Sequence, residues 1–156
     1  RVSVLLDAAP PKGDAARRSP HFSLRAYPYV LYDLVLYIPR MLMNVNGRGV
    51  AAARAVYPDI ALTDTLLVHD ELQRAFGKVS FKQGGSAAGH NGVKSVQHHL
   101  GNDVPRIRIG IDRPLDGNVS AYVLGSMPPD WLETCAHGEV LERLWSTLQT
   151  WCLSRT

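Results

Sequence analysis

A nearly unbroken run of apolar residues at positions 30–38 constrains the fold of this chain more than any other feature. The run is rich in residues that favour strands, and Pro39 ends it. A strand this apolar has to be covered on both faces, as in the sheets of layered α/β proteins. We therefore predict a buried strand here, with residues 22–27 as its hairpin partner.

Helix and strand patterns alternate along the rest of the chain. Three segments carry apolar residues at helical spacing, and three carry strand patterns. The helical segments are 43–57, 91–100 and 141–152, and the strand segments are 65–68, 78–82 and 106–111. The apolar stripe predicted for the last helix comprises Leu141, Leu144, Trp145, Leu148 and Cys152. This alternation predicts one α/β domain over residues 1–156, with three layers in α/β/α order and a mixed, largely parallel, twisted sheet.

The first residues are interpreted as the end of a short helix. Val4, Leu5 and Ala8 are compatible with helical spacing, and Pro10 and Pro11 cannot continue it. We expect a loop between this segment and the hairpin.

Alternation in two strand segments assigns side chains to faces. Val79 and Phe81 should point inward, while Lys82 points outward. In the segment 106–111 the isoleucines share one face, which leaves Arg106 and Arg108 on the other. Basic side chains are therefore predicted on an outward surface of the sheet, and the net charge of +3 permits attraction to phosphate.

Composition excludes some classes of protein. No stretch is long and apolar enough to span a bilayer, so we expect no association with a membrane. Cys135 and Cys152 both fall in the C-terminal region of helical pattern, where a small thiol commonly packs as an apolar group. Two such cysteines suggest a reducing compartment.

The segment 84–92 is the most unusual one, because it holds four glycines in nine positions and carries His90 and Asn91 just before its last residue. A glycine-rich entry to a helix lets a phosphate or a developing oxyanion approach free backbone N–H groups. The alternative is a mobile surface loop in which the glycines only permit turns. The loop alone does not decide between these interpretations.

Two further segments carry polar groups that could act in catalysis. Asp70 comes at the end of a buried strand, where α/β sheets usually place ligands, although it could also be a solvated strand terminus. Asn44 can donate and accept hydrogen bonds, but Asn44 or Asn46 could simply cap a helix. The spacing of histidines and cysteines predicts no metal site. Motifs for a serine nucleophile are also absent, which favours hydrolysis by an activated water.

Taken in order, the segments around Asn44, Asp70 and His90 resemble the bacterial-type peptidyl-tRNA hydrolases, and they are close to the metazoan branch of that family. The shared stretches are 39–50, 66–72, 84–95, 106–114 and 122–125. The resemblance implies an esterase that cleaves the bond between a peptide's carboxyl group and the ribose of peptidyl-tRNA. It also implies a monomer in the mitochondrion or the cytoplasm, with no metal or organic cofactor.

The resemblance also assigns roles to matching residues. Asn44 and Asn91 match the family's two downstream active-site asparagines, and His90 matches a residue at the gate of the cleft. Asp70 matches the acid that orients the family's catalytic histidine, whose imidazole would deprotonate a water. The catalytic set is therefore Asp70, Asn44, Asn91 and His90. The residues expected to bind substrate are Met43, Gly89, Lys82, Arg106 and Arg108, of which Lys82 and Arg108 match basic positions that face the tRNA.

The start of the chain departs from the family pattern. The family's N-terminal strand, its Gly-x-Gly-Asn-Pro-Gly turn and its Thr-Arg-His-Asn segment are absent, and with them the catalytic histidine. His21 stands in a different context, and we interpret it as a surface or strand-start residue. The domain is accordingly interpreted as N-terminally incomplete.

Three hypotheses follow from this departure. The chain could be a truncated, fragmentary or spliced version of an active hydrolase. It could instead be a catalytically silent RNA-binding member of the family. In the third hypothesis the sheet lacks its central strand, so the neighbouring strand edges are exposed and the fold is unstable.

Overall fold

The computed structural model describes residues 2–6, 21–26, 30–115 and 117–155, with side chains from residue 34 onward. The strands are β1 (Val2–Leu6), β2 (His21–Ala26), β3 (Val30–Tyr37), β4 (Thr65–Glu71), β5 (Val79–Lys82) and β6 (Arg106–Gly110). The helices are α1 (Asn46–Val56), α2 (Asn91–Leu100), α3 (Val119–Leu124), α4 (Pro129–His137) and α5 (Glu139–Leu153). Short 3-10 turns precede α1 at Met43–Val45 and β4 at Leu62–Asp64.

The strands form one mixed sheet in the order β2-β3-β1-β4-β6-β5. Strand β1 pairs in parallel with β3 and with β4, and β4 pairs in parallel with β6. The outer strands are antiparallel, β2 to β3 and β5 to β6. The predictions of a mixed, largely parallel sheet and of a hairpin before residue 30 are confirmed. Because the parallel strands end at one edge, the loops that follow β4 and β6 meet there.

Residues Val2–Leu6 form the central strand β1, so the predicted helix end was wrong for this segment. Val4 lies opposite Leu36 of β3 and Leu66 of β4. Spacing alone cannot distinguish helix from strand in so short a run, and the backbone groups of β3 and β4 favour a strand between them. The predicted exposure of these two strand edges therefore does not occur. Ala8 lies outside the described residues.

Apolar cores lie on both faces of the sheet, because alternate residues of a strand point to opposite faces. Leu66 and Val68 face α5, whereas Leu67 faces α1 and α2. The buried core on the α5 side comprises Leu34, Leu66, Val68, Ile107, Leu148, Trp151 and Cys152. The core on the other side comprises Val50, Leu67, Ala87, Val93, Val96, Leu100 and Val104. The predicted α/β/α layering is confirmed.

The C-terminal helix follows its predicted stripe with one exception. Leu148 and Cys152 are buried as predicted, but Trp145 is 37% exposed, and Trp151 is buried in its place. The centre of the buried stripe passes near Leu144 and Leu148, so Trp145 lies at its border.

Two face assignments in β5 and β6 need correction. Phe81 is 40% exposed, because β5 is the outermost strand and the helical layer covers only part of its side chain. Arg106 does point away from Ile107, as alternation predicts, but it is only 2% exposed. The loop that leads into α2 covers this face, so Arg106 does not belong to an outward basic surface.

Candidate functional site

An aspartate–histidine pair lies at the carboxyl edge of the sheet. Strand β4 ends at Glu71 and brings Asp70 to this edge, while His90 is the N-cap of α2. The Nε2 atom of His90 is 3.0 Å from Oδ1 of Asp70. Its Nδ1 atom accepts the backbone N–H of Val93 at 3.2 Å, so the ring proton is on Nε2 and is donated to the carboxylate.

The electrostatics of this pair favour an ionised Asp70. Burial alone would raise the pKa of Asp70, but the hydrogen bond and the charge of His90 outweigh it and lower that pKa. The two predicted site residues are thus brought into direct contact, about twenty positions apart in the sequence.

His69 contacts both residues of the pair, and spacing alone did not predict these contacts. Its side chain is 3% exposed, and its Nδ1 atom is 2.6 Å from the carbonyl oxygen of Asp70. The ring meets that of His90 edge-on, with 5.0 Å between the centroids. Burial, followed by the charge of His90, lowers the pKa of His69 to about 4, so the ring is neutral at pH 7. Its burial could have been predicted, because alternation places His69 on the same face of β4 as Leu67.

The glycine-rich loop before α2 is anchored through its carbonyl groups. The Nη2 atom of Arg106 lies 2.7 Å from the carbonyl oxygen of Gly84, 2.8 Å from that of Gly85 and 3.1 Å from that of Ser86. Gly84 has φ 55°, and a Cβ there would lie 2.7 Å from the carbonyl oxygen of Asn102, so the position requires glycine. The alternative of a mobile loop does not fit these contacts.

A basic cluster lies beside this loop on β5, β6 and the segment after β4. It comprises Arg74, Lys82 and Arg108, with Glu71 as the neighbouring acid. Burial and then the nearby charge of Arg74 lower the pKa of Arg108. The Nζ atom of Lys82 donates to the carbonyl oxygen of Ser86 at 3.2 Å. Arg74 lies outside any strand pattern, so alternation could not predict its place in this cluster.

The two predicted asparagines lie at a common groove. Asn44, in the turn before α1, and Asn91, at the start of α2, are both exposed, and both line it. Met43 is exposed in the same turn, and Gly89 is exposed at φ 89° just before His90. Neither candidate cap was correct. The 3-10 turn and α1 lack a side-chain cap bond, and Asn46 is buried without a hydrogen-bond partner for its amide.

The described residues contain no group of three His, Cys, Asp or Glu side chains placed to hold a metal ion. Within the same part of the chain, every helix is too short or too polar to cross a membrane. Cys135 in α4 and Cys152 in α5 are free thiols.

Fold and site together define a three-layer α/β protein with a histidine–carboxylate pair and exposed amides at the carboxyl edge of its sheet. The peptidyl-tRNA hydrolase family model matches residues 16–155. The chain therefore belongs to the peptidyl-tRNA hydrolase family.

Individual relatives agree with this assignment. A peptidyl-tRNA hydrolase from Pelobacter propionicus is 46% identical over 100 residues, which are 64% of this chain and 51% of the relative. A probable peptidyl-tRNA hydrolase from Mus musculus is 48% identical over 100 residues, 63% of this chain and 48% of the relative. The chain thus spans about half the length of the curated relatives it matches. The crystal structure of peptidyl-tRNA hydrolase from Acinetobacter baumannii aligns with TM-score 0.65 and 26% identity, over 85% of this chain and 80% of that one.

Proposed function

We propose that this protein hydrolyses the ester bond between peptide and tRNA in peptidyl-tRNA, releasing free tRNA and peptide. The observation that carries the proposal is the Asp70–His90 pair in a chain of this family. Asn91 directly follows His90, and Asn44 lines the same groove as Asn91. The proposed mechanism uses an activated water and requires no metal or organic cofactor.

In this mechanism the charge on Asp70 supports proton transfer through His90. Because Nε2 of His90 donates to Asp70, only Nδ1 can accept a proton from water, and it must first release the N–H of Val93. Attack of the water on the ester carbonyl places negative charge on the carbonyl oxygen. The amide groups of Asn44 and Asn91 can donate hydrogen bonds to that oxygen.

The basic cluster is proposed to hold the tRNA. Lys82 and Arg108, together with Arg74, concentrate positive charge around Glu71 at the end of β4, and phosphate contacts of this kind make binding salt-sensitive. Met43 and Gly89 are proposed to contact the substrate beside the ester. Arg106, by contrast, is assigned to the loop, because three carbonyl groups occupy its Nη2 atom.

We further propose that the protein acts as a monomer in the mitochondrion or the cytoplasm. The support is the family resemblance together with the free thiols of Cys135 and Cys152, which suit a reducing compartment.

The test is release of peptide from an N-blocked aminoacyl-tRNA by the purified chain. Asp70→Asn keeps the shape of the side chain but removes its charge, and it should slow release by about 100-fold or more. Asp130→Asn makes the same change at an exposed position of α4 and should leave release unchanged. Equal rates for the two variants would exclude the proposed role of Asp70.

One observation favours a second function, RNA binding without catalysis. Both ring nitrogens of His90 are occupied, and the Nδ1 atom of His69 is bound to a carbonyl group. If the chain binds tRNA tightly but releases peptide no faster than buffer does, this second function replaces the first.

A further inference from the structure

A groove of about 350 Å³ lies between α2 and the start of α1 with its preceding turn. Its titratable lining groups are Arg48, Lys94, His98 and His99, and its amides are Asn44 and Asn91. No carboxylate of the described residues lines it. The groove therefore has a positive charge that its own walls do not neutralise.

The two permanent cations of the groove are available to a ligand. Arg48 and Lys94 are exposed, and neither has an ion-pair partner among the described residues. A guanidinium group can grip a phosphate with two parallel hydrogen bonds, while an ammonium group adds a compact point charge. Both cations on one groove favour a phosphate over an uncharged group.

Helices α1 and α2 pack closely at the base of the groove. The backbone N–H of Gly47 donates to Oγ of Ser95 at 3.0 Å, and a Cβ on Gly47 would lie 2.0 Å from the carbonyl oxygen of Ser95. Helices α1 and α2 therefore meet in direct backbone contact. The side chains of Arg48 and Lys94 are carried by this fixed pair of helices, so they are presented together.

We propose that this groove binds a backbone phosphodiester of the RNA strand, next to the nucleotide that carries the ester. The inference rests on the proposed function, since Asn44 and Asn91 belong both to the groove and to the proposed catalytic set. A strand whose terminal ribose lies at these amides continues into the groove. This contact is separate from the basic cluster of Arg74, Lys82 and Arg108, which shares no residue with the groove.

The experiment measures affinity for an RNA acceptor-stem hairpin with a single-stranded 3′ end, over a range of salt concentrations. Arg48→Gln and Lys94→Gln should each flatten the slope of log K against log salt, and the double variant should lose roughly 0.7, the value for one phosphate contact on a single strand. Arg143→Gln removes an exposed cation from α5, on the opposite layer, and should leave the slope unchanged. Arg48→Lys should retain most of the slope, which separates loss of charge from misfolding.

A second RNA carries one uncharged methylphosphonate at its last 3′ linkage. It should lower the slope for the unaltered protein but cause no further loss in the Arg48→Gln, Lys94→Gln double variant. Unchanged slopes in both groove variants, or an equal loss in Arg143→Gln, would overturn the proposal. If inorganic phosphate binds the groove while the RNA slopes ignore both substitutions, the groove is a free-phosphate site and the proposal is again wrong.

The results distinguish failure of the groove proposal from failure of the proposed hydrolase function. Normal peptide release with unchanged slopes rejects the groove and keeps the hydrolase. Flattened slopes in a chain that cleaves nothing keep the groove and reject the hydrolase.

Discussion

His90 joins Asp70 to the start of α2 with one ring, donating from Nε2 to Oδ1 of Asp70 at 3.0 Å while Nδ1 accepts the N–H of Val93. The first bond stabilises the ionised carboxylate, and the second satisfies a free N–H group in the first turn of the helix. The ionised state of Asp70 and the N-cap of α2 therefore depend on the same imidazole. Substitutions that keep only one of the two bonds can separate them.

His90→Ala should lower the free energy of unfolding by about 1 kcal/mol through loss of the cap, and it should also abolish the Asp70 contact. His90→Asn should retain the cap, because asparagine is a favoured N-cap residue, but not the contact with Asp70. Denaturant unfolding should therefore separate the variants, while peptide release falls in both. If alanine and asparagine give the same stability, Nδ1 of His90 does not cap the helix.

Arg106 and Arg108 offer a matched pair on one face of β6. Arg106→Met leaves the carbonyl group of Gly84 without its side-chain donor and removes one of two donors from that of Gly85, so it should destabilise the fold by on the order of 3 kcal/mol. Arg108→Met should change stability by less than about 1 kcal/mol, since no described hydrogen bond depends on it. It should instead weaken RNA binding and flatten its salt dependence.

Denaturant unfolding and RNA titration on both variants check this contrast. A stable Arg106→Met protein with impaired RNA binding would show that Arg106 contacts the substrate after all.

His69 should make stability fall in mildly acidic solution. The pKa of His69 is about 4 in the folded protein and about 6.5 when unfolded, so between these values the unfolded chain binds the extra proton. The resulting loss reaches about 3 kcal/mol once the pH falls to 4. Asp70 has a lowered pKa, so its stabilising contribution is lost as the pH falls from its unfolded pKa through its folded pKa.

The measurement is the free energy of unfolding across pH 4–7 for His69→Asn, with His137→Asn as an exposed control on α4. The slope should flatten in the first variant only. An unchanged slope in His69→Asn would assign the pH dependence to other groups.

The sequence was sufficient to predict those helices and strands whose own apolar pattern determines their structure. Helix α2 is an example, because Val93, Val96 and Leu100 bury one stripe whatever surrounds it. Other features depend on partners that spacing cannot reveal. Val2–Leu6 is a strand because β3 and β4 leave a place between them, and Arg106 is buried because a loop covers its face.

In the candidate site, too, some features could be predicted from the sequence and others depend on tertiary contacts. Position at a strand end and at a helix start made Asp70 and His90 candidates, and the family resemblance then assigned their roles. The support from His69 depends on tertiary contacts, since Nδ1 reaches the carbonyl group of Asp70 only in the folded chain. The same is true of Asn46, which spacing made a reasonable cap. It is buried in the first turn of α1, and its side-chain amide has no hydrogen-bond partner.

Two glycines of α1 test whether the close approach of α1 and α2 holds the site together. Gly47→Ala would place a methyl group 2.0 Å from the carbonyl oxygen of Ser95, so the helices must separate, and stability should fall by at least about 2 kcal/mol. Gly49→Ala meets only the ends of the Tyr37 and Met41 side chains, which can move. Alanine also favours the helix by up to about 1 kcal/mol, so Gly49→Ala should be neutral or stabilising. Thermal unfolding compares the stabilities of the two variants. RNA affinity should fall for Gly47→Ala alone, because Asn44 and Asn91 move apart in that variant. Equal behaviour of the two variants would mean that the contact between α1 and α2 does not position these asparagines.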